Sequence, residues 1–461
     1  VATAPAAGVT PDDAARRREQ RSWYWYDWAN SAYITTTMTV LIGPWLTVVA
    51  KRAACPGQSS ELTCSTPLHV VGVPIAPGSL ALYTITSATL VSAVLLPVVG
   101  AVVDRSGRKR TLLAGFAWFG GLAACAMILI GGSRWQLGVV LELVATLAYA
   151  ASLVIYDSIL VDISTPDERD AVSSRGWALG YLGGGLLLAI NLGLVTGHDA
   201  VGVTAEWAVR ISLFSAGLWW AFFTIIPFLG LRDRPPVAVE LLEGHGSVSA
   251  AFGQLGRTLR HLRGFPQTLL FLVAYLFFND GIQTVIYASS IFGQEELHLP
   301  TSDLITTILM IQFVGIGGAL GFGRLAGRIG ARRSILIGLV LWCVVVGVGY
   351  FMPARNFPLF LGLGAGIAIV LGGVQALARS LYSQLVPRGR EAEYFSLYQA
   401  TERGTSWFGT LMFALVYQLT GSYRYAIVAL VAFFVLGGGL LSRVDVRKGI
   451  TDAGNDVPAV V

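Results

Sequence analysis

The sequence predicts an all-α membrane protein, with twelve transmembrane helices in two six-helix bundles related by a pseudo-twofold axis. Three observations predict it. Apolar residues make up 54% of the 461 residues and charged residues only 13%, against roughly 25% in soluble domains. The apolar residues gather in blocks of roughly 20, the length that carries a helix across about 30 Å of hydrocarbon. A charged phrase between two such blocks, Gly100-Ala-Val-Val-Asp104-Arg105-Ser-Gly107-Arg108-Lys109-Arg110, returns in weaker form as Gly323-Arg-Leu-Ala-Gly327-Arg328-Ile-Gly330-Ala-Arg332-Arg333.

Residues 1–22 are polar and then basic (Arg16, Arg17, Arg18, Arg21) and lack the apolar stretch of a signal peptide, so a disordered cytosolic tail is expected. The first bundle spans 23–230, with helices at roughly 23–47, 80–103, 111–131, 136–160, 175–196 and 207–230. Trp23, Tyr24, Trp25, Tyr26 and Trp28 crowd the start of the first helix, where amphipathic rings suit the headgroup layer. A cytosolic linker, 231–264, opens on Arg232-Asp-Arg-Pro-Pro236, whose prolines end the sixth helix. The rest of the linker is expected to lie on the membrane surface as a short amphipathic helix. The second bundle spans 265–443, with helices at roughly 266–292, 302–326, 332–352, 357–382, 396–419 and 423–442, and residues 444–461 form a second cytosolic tail.

The repeat shows again at a second place. Asp162-Ile-Ser-Thr-Pro166-Asp-Glu-Arg169-Asp170 follows the fourth helix, and Ser383-Gln-Leu-Val-Pro387-Arg-Gly-Arg390-Glu391 follows the tenth, at almost the separation of the first pair of phrases. Two like-oriented six-helix units imply an axis along the membrane normal and a cavity between them. The net charge of +5 is not a nucleic-acid footprint, because most of the 32 Lys and Arg fall in alternate loops. That bias places those loops and both termini in the cytosol of a cell-membrane protein. Cys125 and Cys343 lie in apolar helices as packing residues, whereas Cys55 and Cys64 share the first outer loop, as a bridge or as two free thiols. Gly176, Gly180 and Gly184, four apart, suit a closely packed fifth helix rather than a phosphate cradle.

Ionisable groups inside a membrane span are costly, so each is a functional candidate. The first helix carries Asp27, Asn30, Ser31, Tyr33 and Thr35, and the fourth carries Tyr149, Ser152, Tyr156 and Asp157. The seventh carries Tyr275, Asn279, Asp280, Gln283 and Tyr287, and the tenth carries Gln375, Arg379 and Tyr382. These are the first helices of four three-helix units, so their polar stripes are expected to share the central cavity. Asn30, Tyr33, Tyr156, Asn279, Asp280, Gln283 and Gln375 are the expected substrate-binding residues. Asp280, near the middle of its span, is a candidate proton carrier, against a hydrogen-bonded acid that only holds helices together. Arg379 is expected to pair with Asp27 or Asp157 as an inner gate, against a static interfacial pair. Gly100, Asp104, Arg105, Gly107, Arg108 and Asp162 form an expected latch: Asp104 at the positive N-terminus of the eleventh helix, Arg105 or Arg108 reaching Asp162. The second copy has Gly327 in place of the acid, so the latch is one-sided. Glu142, near the outer end of the fourth helix, is expected to be hydrated.

The Gly100–Arg110 phrase resembles the signature loop of the major facilitator superfamily. Four further phrases resemble its vacuole-effluxer branch, relatives of the autophagy-linked amino-acid exporter. They are Tyr26-Asp-Trp-Ala-Asn30-Ser-Ala-Tyr33, Gly176-Trp-Ala-Leu-Gly-Tyr181-Leu-Gly183, Asn279-Asp-Gly-Ile-Gln-Thr284 and Gly373-Val-Gln-Ala-Leu-Ala-Arg379-Ser-Leu-Tyr382. The resemblance implies the major facilitator fold and secondary transport by alternating access. Amino-acid efflux is the expected activity, with a proton as the coupling ion. Rival readings are drug or amphiphile efflux and a non-transporting membrane sensor on the same scaffold. An enzyme is not expected: the five His lie in loops or the linker, and no Walker loop is present. The expected partners are a small-molecule substrate and the lipid bilayer, without nucleic acid, cofactor or metal, and the expected state is a monomer.

Overall fold

The computed structural model describes residues 11–57, 64, 66–70, 72–235, 260–404 and 406–461. Each apolar block becomes a helix because a backbone in hydrocarbon finds no water and must satisfy its own hydrogen bonds. The first bundle comprises α1 (Asp12–Ala54), α2 (Pro77–Ser106), α3 (Lys109–Leu129), α4 (Trp135–Ile163), α5 (Arg169–Thr196) and α6 (Ala205–Gly230). The second begins with α7 (Pro266–Glu296), α8 (Thr301–Ile329), α9 (Ala331–Tyr350) and α10 (Phe357–Gln384). Its eleventh block, predicted as one run over 396–419, is described as α11 (Glu391–Gly404) and α12 (Ser406–Thr420), on either side of residue 405, which lies outside the described residues. It closes with α13 (Tyr423–Ser442), after which α14 (Val446–Asp452) follows. The amphipathic helix expected in the linker falls mainly on 236–259, outside the described residues.

Two expectations are corrected at the start of the chain. From residue 11 onward the tail is helical and docked rather than disordered. Arg16 pairs with Glu168 at 3.1 Å, Gln20 donates to the Ile163 carbonyl at 2.9 Å, and Glu19 meets Arg234 at 2.7 Å. α1 also runs past its expected end near 47 to Ala54, through a π-helical stretch at Tyr33–Leu41. Beyond it Cys55 and Cys64 are bridged. A hairpin of β1 (Leu68–Val70) and β2 (Val73–Ile75) follows, with Leu68 opposite Ile75. Gly72 supplies the positive φ of its turn.

Each half has its own apolar core, one running from Trp23 to Leu231 and the other from Leu262 to Ile450. Between the halves α2 packs on α11 and α5 packs on α8. By the repeat, α8 is the second bundle's α2 and α11 is its α5, so one contact is made twice, as an isologous interface requires. Gly100 on α2 lies against the backbone of Ala392 and Glu393, and Gly323 on α8 lies against Ser174 of α5. Both contacts sit near the face that carries the two termini and the Arg-rich loops, here termed the basic face. Within the first bundle Gly176, Gly180 and Gly184 of α5 face Asp27, Ser31 and Thr35 of α1. That polar stripe therefore packs mostly on a glycine face instead of lining a cavity, since small residues let the two backbones approach.

Candidate functional site

Arg379 on α10 crosses from the second bundle into the first. Its Nη2 lies 3.3 Å from Asp27 Oδ2 on α1, and its Nη1 lies 3.4 Å from Asp157 Oδ1 on α4. Nε donates to Ser173 Oγ at 2.9 Å and Nη2 donates to the Ser173 carbonyl at 3.0 Å, both on α5. Tyr156 Oη donates to Asp27 at 2.6 Å, and Gln399 Nε2 on α11 donates to the far oxygen of Asp157 at 2.9 Å. The rings of Trp23, Tyr156 and Trp177 surround the guanidinium carbon at 4.9, 5.3 and 5.7 Å, an arrangement that favours a desolvated cation. The side chains of Arg379, Asp27 and Asp157 are all buried. One guanidinium thus faces two carboxyl groups across the interface, in surroundings where an unpaired charge is expensive.

The charged loop forms a second tie between the halves. Asp104 Oδ1 accepts from the Ala392 backbone N–H at 2.9 Å and Oδ2 from that of Glu393 at 2.8 Å. The carboxylate sits on the positive end of α11, where orphan N–H groups and the helix dipole attract an anion. The cation that meets Asp162 is Lys109, at 2.9 Å, with Glu391 at 3.6 Å from the same ammonium, and not Arg105 or Arg108. The reason is local. Gly107 ends α2 in the left-handed conformation and Lys109 opens α3, so its side chain leans back toward the interface while Arg105 and Arg108 stay exposed. At the repeat-related place there is no carboxylate on α8. There Arg169 donates to the Ser383 carbonyl at 3.0 Å, and the Ser380 hydroxyl donates to Asp170.

The remaining polar candidates are turned inward. Gln375 Nε2 donates to Asn279 Oδ1 at 2.8 Å, Asn279 Nδ2 donates to the Glu402 carbonyl at 3.4 Å, and Asp280 Oδ2 accepts from the Gly409 N–H at 2.8 Å. Every one of these partners belongs to the second bundle. Gln283 is half-buried and Tyr287 exposed. Asn30 donates to the Tyr26 carbonyl of its own helix at 2.8 Å. Tyr33 is held inside the first bundle, its ring 5.1 Å from that of Trp220 and 5.9 Å from that of Tyr149. Of the seven expected substrate residues, Tyr156 hydrogen-bonds into the Arg379 cluster. Reading the fifth helix for packing alone passes over Ser173 and Trp177, although both lie beside its glycine stripe. Glu142 is not hydrated but fully buried, because the longer α1 covers the end of α4 that the sequence leaves open.

Residues 15–454 match the family described as "Vacuole effluxer Atg22 like". The chain belongs to that family. An uncharacterized MFS-type transporter, YxiO, of Bacillus subtilis (strain 168) is 30% identical over 96% of this chain and 98% of its own length. Autophagy-related protein 22 of Eremothecium gossypii is 25% identical over 96% of this chain and 94% of its own. Among solved structures, a bacterial homologue of the iron transporter ferroportin in an outward-facing state aligns with a TM-score of 0.65 at 14% identity, over 93% of this chain and 98% of that one. The proton:xylose symporter XylE aligns with a TM-score of 0.66 at 11% identity, over 93% and 95%. These likenesses show the major facilitator fold, and the effluxer family and its structural neighbours are multi-pass membrane transporters, not enzymes.

Proposed function

We propose that this member of the effluxer family is a secondary carrier that exports small zwitterionic solutes, amino acids first among them, by alternating access across the cell membrane, with the basic face in the cytosol. The observation that supports the reading is the guanidinium of Arg379 buried between Asp27 and Asp157 of the opposite bundle. A zwitterion carries the same two charges as that pair. Its ammonium can take the place of Arg379 at a carboxylate, and its carboxylate can take the place of an aspartate at Arg379. Exchange of partners opens the interface without leaving a bare charge in the bilayer. Asp280, whose Oδ1 has no hydrogen-bond partner among the described residues, carries the coupling proton in this reading.

Counterflow of labelled amino acids in proteoliposomes, with and without a pH gradient, tests it. Transport is expected in the parent, absent in Arg379→Ala, and no longer driven by the gradient in Asp280→Asn. Failure of the folded parent to exchange any amino acid overturns the substrate assignment. A second reading, export of amphiphilic cations, draws on the Trp23, Tyr156 and Trp177 rings around Arg379. Counterflow of an aromatic cation where amino acids give none selects it.

A further inference from the structure

α4 carries an acid that the Arg379 cluster does not use. Glu142 lies roughly 10 Å inside the helix from Trp135, at about 1.5 Å of rise per residue. Its side chain is 0% exposed, and neither carboxyl oxygen has a hydrogen-bond partner among the described residues. Buried polar groups are as a rule satisfied, so an orphan of this kind calls for a physical reason.

Its surroundings supply one. A turn further along α4, Thr146 Oγ1 lies 3.4 Å from Tyr33 Oη and 3.5 Å from Met38 Sδ, both on the π-helical stretch of α1. A turn before it, Gly138 lies against the Leu46 side chain. The two contacts run antiparallel, so Glu142, between them, stands opposite the end of the stretch Tyr33–Leu41. On that stretch Thr36 and Thr37 are fully buried, and their hydroxyls are unpartnered among the described residues. A π-helical segment is an irregularity at which a helix changes register, and such segments gather at functional sites.

Among the described residues, no charged side chain pairs with Glu142. The elements packed on this half of α4 bring Tyr33, Lys51 and Arg52 from α1, Tyr83 from α2 and Cys125 from α3, and α6, which packs on α3, brings Glu206 and Arg210 nearby. Arg52 and Arg210 both turn to Glu206, at 2.7 and 3.8 Å, and Tyr83 is exposed. Of the charged groups that α5, α10 and α11 bring to α4, Arg169, Asp170, Arg379 and Glu391 serve the ties at the basic-face end, Glu393 stands at the start of α11 beside them, and Glu402 accepts from Tyr275 of the second bundle. An ionised carboxylate without a partner at this depth is strongly unfavourable, so Glu142 holds a proton in this state.

Building on the reading of the chain as a carrier, we propose that Glu142 is a proton-binding site of the first bundle, loaded while the bundles are joined at the basic face and unloaded when the π-helical stretch opposite it rearranges and admits water. In the step the carboxyl O–H bond breaks, its electron pair stays on the carboxylate, and the proton passes to water.

Infrared absorption of the full chain in lipid nanodiscs reads this directly, through the carbonyl stretch of a protonated carboxyl followed as a function of pH. Glu142→Gln is expected to lose a component that Asp280→Asn keeps, and Glu142→Asp to regain one. In Arg379→Gln, whose interface is loosened, the Glu142 component is expected to titrate at least about one pH unit lower, a tenfold fall in proton affinity. Should Glu142→Gln not fold, isotope-labelled glutamate in the parent shifts the same component and assigns it. A spectrum that neither Glu142→Gln nor glutamate labelling alters overturns the proposal, as does a Glu142 component that neither pH nor Arg379→Gln moves. Amino-acid counterflow in the same preparations keeps the two readings apart. Counterflow without a titrating Glu142 removes the proton site alone, and a titrating Glu142 without counterflow removes the amino-acid assignment alone.

Discussion

At Arg379 one guanidinium serves two carboxylates, and substitutions there act through that imbalance. Removing the guanidinium leaves Asp27 and Asp157 buried without their cation, and breaking a buried pair in this way costs about 3–5 kcal/mol. Arg379→Ala is therefore expected to lower the thermal unfolding midpoint in detergent clearly. Asp157→Asn, which can still accept from Gln399 and leaves Asp27 as the one carboxyl beside Arg379, is expected to lower it much less. Arg379→Lys falls between the two, since an ammonium keeps the charge but loses the fork that reaches Asp27 and Asp157 together. A second residue sets a pH dependence. Burial pushes Glu168 up, but the Thr165 backbone N–H and the Arg16 guanidinium outweigh it and hold the carboxyl below its ordinary 4.5. A carboxylate lowered in the folded state contributes stability that is present above its unfolded value and is lost as pH falls through the folded one. Docking of residues 11–22 is thus expected to loosen below about pH 4.5. Amide hydrogen exchange across that segment, corrected for intrinsic rates, should quicken there in the parent and be fast at every pH in Arg16→Ala.

Among the elements, the α2–α11 contact was legible in the sequence because Asp104 closes a helix at one membrane face and suits the positive start of another, whereas the α5–α8 contact emerges only with the structure. Less legible was which cation of the charged loop would turn inward. That depends on where α3 begins, and a difference of one residue moves a side chain by about 100° around the helix. The inward turn of Asn279 and Asp280 was hidden for a related reason. Helical spacing says which residues share a face, but not whether the neighbour on that face is the other bundle or, as for Asp280, the Gly409 backbone. The distance of Glu142 from a helix end suggests hydration, because Lys51 and Arg52 hide in the sequence how far α1 continues. The glycines make the clearest test at this scale. A side chain at Gly100 meets the Ala392 carbonyl, whereas one at Gly327 meets nothing within 4 Å. Gly100→Val is expected to raise thiol labelling of a Ser383→Cys reporter from the basic face, and Gly327→Ala to leave it unchanged.

For the whole molecule, the repeat gives two interfaces of one shape but of unequal strength. Asp104 accepts two backbone N–H bonds across the α2–α11 contact, and a carboxylate on a helix N-terminus is worth about 0.3–1 kcal/mol when exposed and up to about 2 kcal/mol when partly buried. Gly327 contributes nothing of the kind across α5–α8. Spin labels at Arg105 and Arg390 span the first interface, and labels at Arg328 and Asp167 span the second. In Arg379→Ala the second pair is expected to show the broader distance distribution, and adding Asp104→Asn should bring the two pairs level. Equal broadening without that further change would contradict the inequality. A repeated unit thus supplies a clamshell whose two edges match in outline, and the spin-label distances are expected to show the edge tied by Asp104 as the hinge and the other as the side that lifts.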